Sequence, residues 1–371
     1  MLNKRHSFRR AAAVIALAAA VCALGGGTTT SSKETQQSKD ASRVLIVINQ
    51  ASPDSVQVGS YYRNKRGIPK TNVVFINVRD SETIPIARYR SEIEAPVRTA
   101  IKALSKPIDF IVLTKGIPIR ISGKPGYSVD GHLGGMDVNF RPKSENDSKI
   151  GRFANNPYYR KSEPFSSKKY GYYLVTRLDG YTLEDAKRLV DNSLAAKGDK
   201  GPFFFDTAAN RRKGDYLTWQ KKLTGAHNTL TKKGFDSRLE ETAKFVAPQY
   251  ALMGYASWGS NDGAYDKATY RRIKFKPGAI CETFVSTSAR TFKHTDKGQS
   301  VITDLIANGV TGIKGYVSEP FTFALADTEI LFDRYTSGYN LAESFYMASA
   351  VIKWKDLVIG DPLCSPYAKS D

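Results

Sequence analysis

Few side chains in this sequence could act as a nucleophile together with a base that activates it. Beyond residue 32 the histidines are His132, His227 and His294, and Ser286 lies eight residues before His294. A serine hydroxyl needs a base to become a nucleophile. Ser286 with His294 or His132, and with Asp262 as a third member, would form a serine-type hydrolytic site.

Two groups of acidic residues could bind a hard cation. Asp130, His132 and Asp137 fall within eight residues, and Asp262 and Asp266 are four residues apart in a loop rich in Gly, Asn and Ser. Oxygen ligands of this kind suit calcium, although neither group matches the EF-hand loop. The same acids also suit helix caps and turns, so calcium stays open and no cofactor is predicted.

Two cysteines remain after residue 32. Cys281 falls inside an apolar run, and Cys364 follows the turn Ile359-Gly360-Asp361-Pro362. Both positions favour packing in the core over reactivity. A disulfide between them is left open.

An aromatic side chain stands in a loop of small and polar residues. Residues 254–263 read GYASWGSNDG, directly after the apolar run 250–253. Trp258 with Tyr255 would make a platform for a peptide or a sugar, with Ser260 beside it. The alternative is that Trp258 packs in the core.

Charged residues at the ends of two further strands are binding candidates. Arg177 and Asp179 are two apart, so they lie on one face of a strand, where they could bind a charged ligand or pair with each other. Glu319 follows another strand and adds an acid.

The elements that must position these residues alternate between strand and helix. Short apolar runs rich in β-branched residues are separated by stretches with helical spacing, which predicts an α/β fold with a mostly parallel, doubly wound sheet. A long loop excursion over residues 114–169 follows the third strand. Strands are predicted at 43–49, 73–78, 108–113, 172–178, 203–206, 250–253, 279–285, 312–317 and 357–359, and helices at 53–67, 88–104, 182–195, 216–233, 301–308, 322–335 and 341–352.

Four candidate residues come directly after predicted strands: Asp206, Trp258, Ser286 and Glu319. If those strands are parallel, their carboxyl ends share one edge of the sheet. We expect an N-terminal half over 43–170 and a C-terminal half over 171–371, joined in one continuous sheet.

The first residues indicate export. Lys4, Arg5, Arg9 and Arg10 precede an apolar stretch over 11–24 and then a tail of Gly, Thr and Ser, which predicts a signal over 1–32 and a flexible tether over 33–42. The apolar stretch is short for a membrane span. We expect a periplasmic or extracellular protein without a transmembrane segment after signal removal; an uncleaved signal or a lipid on Cys22 are alternative anchors.

The net charge is strongly positive, +19 from 55 Lys and Arg against 36 Asp and Glu. Four of the basic residues and none of the acids lie in the first 32, which leaves +15 on the rest. This balance fits contact with anionic polymers at the cell surface, or solubility alone. The basic residues are dispersed and no nucleic-acid motif is present, so no nucleic-acid partner is predicted.

Three stretches resemble the catalytic domain of gingipain-type cysteine peptidases, which have a caspase-like fold. They are Trp258-Gly259-Ser260, Ser286-Thr287-Ser288, and the closing region with Leu341–Phe345 and Ile359–Pro362. The likeness covers roughly residues 200–367. Over nearly the whole exported body the chain also resembles a family of uncharacterised bacterial secreted proteins, through residues 128–130, 156–159, 177–180, 255–262, 315–320 and 359–367.

The departure from the peptidases decides what the resemblance implies. Trp258 stands where those enzymes have their His, and Ser286 falls near their Cys. An indole has only an N–H donor and cannot act as a base. The resemblance therefore implies a relative that has lost its catalytic pair and binds a peptide, protein or glycan. A hydrolase around Ser286 and a structural protein that contacts anionic polymers are the alternatives.

Overall fold

The computed structural model describes residues 36–139 and 155–368. The predicted export signal, with Cys22, lies outside these ranges. None of the helices within them has the length and hydropathy of a membrane span. The helix Gln36–Ser42 occupies the described part of the predicted tether, where we expect flexible chain; its Ala41 is small enough to pack in the core.

Each predicted strand has an observed counterpart. The strands are β1 (Val44–Asn49), β2 (Val73–Ile76), β3 (Thr83–Ile84), β4 (Phe110–Thr114), β5 (Arg120–Ile121), β6 (Leu174–Leu178), β7 (Phe203–Asp206), β8 (Ser237–Glu240), β9 (Leu252–Ser257), β10 (Phe275–Thr283), β11 (Gly312–Tyr316) and β12 (Asp356–Ile359).

The helices follow the predicted alternation. The α-helices are Gln36–Ser42, Pro53–Arg66, Ile86–Tyr89, Ala95–Ala103, Val129–Gly134, Ser167–Tyr170, Leu183–Leu194, Asp215–Lys232, Lys267–Tyr270, Ile302–Ala307, Thr328–Thr336 and Leu341–Met347, with a π-helical turn at Arg90–Glu94 and 3₁₀ turns at Lys70–Asn72, Ala209–Arg211, Gly259–Asn261 and Thr322–Ala324.

Ten strands form one sheet in the order β2-β1-β4-β6-β12-β11-β10-β9-β7-β8. Neighbouring strands are parallel except β11 and β12, which are antiparallel. The predicted mostly parallel, doubly wound α/β fold is confirmed. The strand β12 joins the two groups of parallel strands, since it pairs with β6 on one side and with β11 on the other.

Helices cover both faces of the sheet. Pro53–Arg66 and Leu183–Leu194 pack on one face through side chains such as Tyr62 and Leu189. Asp215–Lys232 and Thr328–Thr336 cover the other face of the β7–β11 region. The helix predicted to start at Thr182 does so, because the Thr182 hydroxyl accepts from the Asp185 N–H and the Asp185 carboxylate accepts from the Thr182 N–H.

Some boundaries differ from the prediction for identifiable reasons. β8 is an edge strand with a largely polar, partly exposed sequence, so it has no apolar run that would predict it. β9 continues to Ser257, so the loop begins at Trp258 and not at Gly254. The helix predicted over 322–335 starts at Thr328, where Asp327 caps it, and the last helix ends at Met347 instead of continuing to 352.

Candidate functional site

The carboxyl ends of β7, β9, β10 and β11 share one edge, because these strands are parallel. A cavity of about 370 Å³ opens at this edge, and Trp258, Ser286 and Glu319 all line it. Asp206 does not; it is buried, and its Oδ2 accepts from the Val246 N–H. The other lining residues are Arg211, Tyr216, Asn261, Phe284, Pro320, Phe321, Thr322 and Leu325.

Trp258 forms part of the cavity wall and is not an exposed platform. Its side chain is 2% exposed, its Nε1 donates to Gln220 Oε1 at 2.6 Å, and its ring meets Phe284 edge-on with centroids 5.1 Å apart. Tyr255 is fully buried on the opposite face of β9, against Phe204. The predicted Trp258–Tyr255 platform is wrong, because the two side chains are buried in separate core clusters, and the alternative that Trp258 packs in the core is confirmed.

Arg211 is the cavity's cation, and we did not predict it from the sequence. Its guanidinium lies 4.6 Å from the Tyr216 ring centroid and 5.4 Å from that of Trp258, and its Nε donates to the Asn261 carbonyl at 2.8 Å. Within the described ranges it forms no ion pair. A single arginine in a basic stretch of loop has no spacing signal that would single it out.

The segment 319–326, which we call the wall segment, closes one side of the cavity. Phe321 has φ +63° and ψ 159°, a backbone region that side chains other than glycine rarely adopt. The Phe321 N–H donates to Glu319 Oε1 at 2.9 Å, and Trp354 Nε1 donates to the Pro320 carbonyl at 2.9 Å. Surrounding hydrogen bonds therefore hold Phe321 in this conformation at the mouth of the cavity.

Buried polar side chains hold the other end of the wall segment. Tyr316 Oη accepts from the Ala326 N–H and donates to Glu282 Oε1 at 3.0 Å, and Lys314 Nζ donates to the Ala324 carbonyl at 3.1 Å. Burial raises the pKa of Glu282 to about 8. The second Glu282 oxygen, Oε2, has no hydrogen-bond partner among the described residues.

No histidine lines the cavity beside Ser286. His294 is exposed and stacks on Tyr181 with centroids 3.8 Å apart. His132 packs against Tyr127, and burial lowers its pKa to about 3. Neither histidine lines the cavity. The serine-type arrangement expected from the sequence is not assembled in the structure.

Asp262 and Ser260 shape the loop after β9. Asp262 is buried, which raises the pKa of its carboxyl, and its Oδ1 accepts from the Ala264 N–H at 2.8 Å. The Ser260 hydroxyl accepts from the Ser300 N–H at 2.8 Å. Both side chains are used in local hydrogen bonds, and neither lines the cavity.

Arg177 and Asp179 lie at the carboxyl end of β6, and neither lines the cavity. Arg177 is fully buried: it donates to both Asp130 carboxylate oxygens and to the carbonyls of Ile117 and Pro118, and its Nη1 lies 3.6 Å from Asp179. These hydrogen bonds occupy four of its five N–H groups. Of the two readings, binding a ligand or structural pairing, the contacts favour pairing.

The acids considered for calcium have other partners. Asp130 pairs with Arg177, Asp137 pairs with Arg98, and Asp266 caps the helix Lys267–Tyr270. In residues 36–139 and 155–368, no three His, Cys, Asp or Glu side chains cluster as metal ligands would.

Both described cysteines are free and fully buried. Cys281 and Cys364 belong to different core clusters, on opposite faces of the sheet, and they form no disulfide with each other. Burial raises the pKa of both thiols, to about 11 for Cys364. A thiol with a raised pKa holds little of the reactive thiolate form.

Comparisons with known proteins give little beyond the fold itself. No protein-family model matches the chain, and no curated protein is significantly similar to it. A solved structure described as "Structure of Protease" has a TM-score of 0.48 and 10% identity, over 88% of this chain and 78% of that one. Similarity at this level transfers no activity and no residue roles.

Proposed function

We propose that this is an exported binding or accessory protein of the cell envelope, and that the cavity beside Trp258 is its ligand site. One observation carries the proposal: Trp258, which replaces the imidazole in the resemblance to peptidases, lines the same cavity as Ser286. The Trp258 N–H is used in a hydrogen bond to Gln220, and an indole has no basic nitrogen. The cavity has walls for a ligand, but no histidine lines it beside Ser286.

The cavity has the composition of a binding pocket. Six of its eleven lining residues are aromatic or apolar, and the other five are polar, namely Arg211, Asn261, Ser286, Glu319 and Thr322. Pockets for small ligands and short peptides commonly combine apolar walls with a small number of polar groups that orient the ligand.

A hydrolase around Ser286 is the second candidate, because Ser286 lines the cavity and no hydrogen bond occupies its hydroxyl within the described ranges. This function would require His294 to leave Tyr181 and approach Ser286. A structural protein that contacts anionic polymers is the third candidate, supported only by the dispersed positive charge.

Covalent labelling separates the first two candidates. The purified protein is treated with a fluorophosphonate probe and, separately, with iodoacetamide, alongside the variants Ser286→Ala and Cys281→Ala. We expect neither reagent to label the folded protein at these residues, because no histidine lines the cavity beside Ser286 and Cys281 is buried. Labelling by the fluorophosphonate that disappears in Ser286→Ala would establish an activated serine and replace the binding proposal with the hydrolase.

A further inference from the structure

We infer that the cavity binds the carboxyl terminus of a peptide whose last residue is large and apolar, with the terminal carboxylate on Arg211. This inference rests on the proposed binding function and names its ligand class.

Arg211 is prepared to receive an anion. Its Nε bond to the Asn261 carbonyl and its stacking on Tyr216 hold the guanidinium in place, while the terminal Nη groups have no acceptor within the described ranges. The buried acid Asp262 is close enough to interact electrostatically with Arg211, but the two form no ion pair. A carboxylate can accept two parallel N–H bonds from such a group.

The walls beside Arg211 favour an apolar group over a sugar. The exposed apolar surface of the cavity comes mainly from Tyr216 and Phe321, at 42% and 38% exposure, and the nearly buried Phe284 and Leu325 complete the walls. Sugar hydroxyls that enter such a space would lose hydrogen bonds to water without finding enough partners. An aromatic or branched side chain would instead gain from burial against these walls.

Glu319 supplies the reason to expect a peptide and not a simple apolar acid. It is exposed at the mouth of the cavity, where its Oε1 already accepts from the Phe321 N–H. Its second oxygen can accept an amide N–H from the residue before the last one. Its charge also disfavours ligands that carry a second anion, such as acidic polymers. A volume of about 370 Å³ suits one or two residues.

The test compares two probes that differ only in the terminal charge. Isothermal titration measures binding of N-acetylated alanyl-alanyl-phenylalanine with a free carboxyl terminus, and of the same peptide as a carboxamide. We expect the carboxamide to bind about 10-fold to 100-fold more weakly, because it loses a charge-assisted hydrogen-bonded pair. In Arg211→Gln the affinity for the free acid should fall by a similar factor, while the affinity for the carboxamide should change little.

Arg212→Gln is the matched control. Arg212 is the neighbouring exposed arginine; it donates to the Glu241 carbonyl and does not line the cavity. The substitution Arg212→Gln removes one positive charge from the same loop. It should leave the difference in affinity between the free acid and the carboxamide unchanged. Melting temperatures of both variants check that they are folded, and the wild-type comparison of the two peptides needs no variant at all.

The outcomes separate this inference from the proposed function. Equal binding of the free acid and the carboxamide would overturn the carboxylate inference and leave a binding protein. If chitotetraose binds and neither peptide does, the carboxylate inference is also overturned, and the cavity is a glycan-binding site. If neither the peptides nor the oligosaccharide bind, both the inference and the proposed binding function fall.

Discussion

The side chain of Trp258 determines much of what the cavity can do. Its indole nitrogen is committed as a donor to Gln220. Gln220 in turn uses its Nε2 to donate to the Ala208 carbonyl. The tryptophan is thus held by a buried hydrogen-bond chain that orients its ring as a wall, which is a role for packing and binding and not for proton transfer.

The buried carboxyl of Glu282 predicts how stability depends on pH. Its pKa is raised by burial from the ordinary 4.5 to about 8. Between these values the unfolded chain has released the proton that the folded protein still holds, so the free energy of unfolding falls as pH rises. Glu282→Gln mimics the protonated form and should remove this contribution, worth up to a few kcal/mol at pH 8.

Urea unfolding at pH 5 and pH 8 measures the effect. Relative to the wild type, Glu282→Gln should gain stability at pH 8 and change little at pH 5. The exposed Glu319→Gln is the control and should leave the pH slope unchanged. Asp206, whose pKa burial also raises to about 8, stays in both variants and retains part of the slope. A pH slope in Glu282→Gln equal to that of the wild type would contradict the prediction.

At the scale of elements, the wall segment depends on β11 beneath it. The Tyr316 hydroxyl bridges the Ala326 N–H and Glu282. Tyr316→Phe leaves these groups buried without that partner, which should cost about 1–3 kcal/mol of unfolding free energy. The freed end of the segment should also open more often, so hydrogen exchange over 320–326 should become faster.

Tyr335→Phe is the control for this experiment. It removes another buried tyrosine hydroxyl, which donates to the Gly278 carbonyl, away from the wall segment. Exchange over 320–326 should therefore stay at the wild-type rate in Tyr335→Phe. Similar acceleration in both variants would show that the segment responds to global destabilisation and not to the loss of its own anchor.

At the scale of the whole molecule, the last strand joins the two groups of parallel strands. β12 pairs in parallel with β6 and antiparallel with β11, and Asp361 just beyond it bonds to Tyr62 and pairs with Arg66 in the N-terminal half. Without β12 the backbone groups of two central strands would lose their partners in the core.

Deletion of residues 356–371 should therefore prevent cooperative folding. We expect a chain without a sharp melting transition by circular dichroism, and one that aggregates on size-exclusion chromatography, because two central strands would expose unpaired edges. Deletion of residues 369–371 alone is the control and should melt as the wild type does. A cooperative transition near the wild-type melting temperature after the longer deletion would contradict this account of the sheet.

The sequence by itself determined the alternation of strands and helices. Apolar runs such as 44–49 and 110–114 are buried over their whole length, and a fully buried strand needs such a run whatever lies next to it. The Thr182 cap was predictable for the same reason, since its hydrogen bonds are local. Trp258, Ser286 and Glu319 could be placed near one edge because each follows a strand.

Only the tertiary structure decided what those residues do. Arg177 and Ser286 both lie near strand ends, but contacts with Asp130 and the 117–118 carbonyls bury Arg177, whereas Ser286 lines the cavity. The burial of Trp258 depends on Gln220 and Phe284, which are distant in the sequence. The position of the Arg211 guanidinium depends on the distant Asn261 and on the loop conformation that brings Tyr216 against it. Local periodicity determines which face of an element is apolar, but contacts between distant segments determine whether a polar side chain is satisfied or left free to bind.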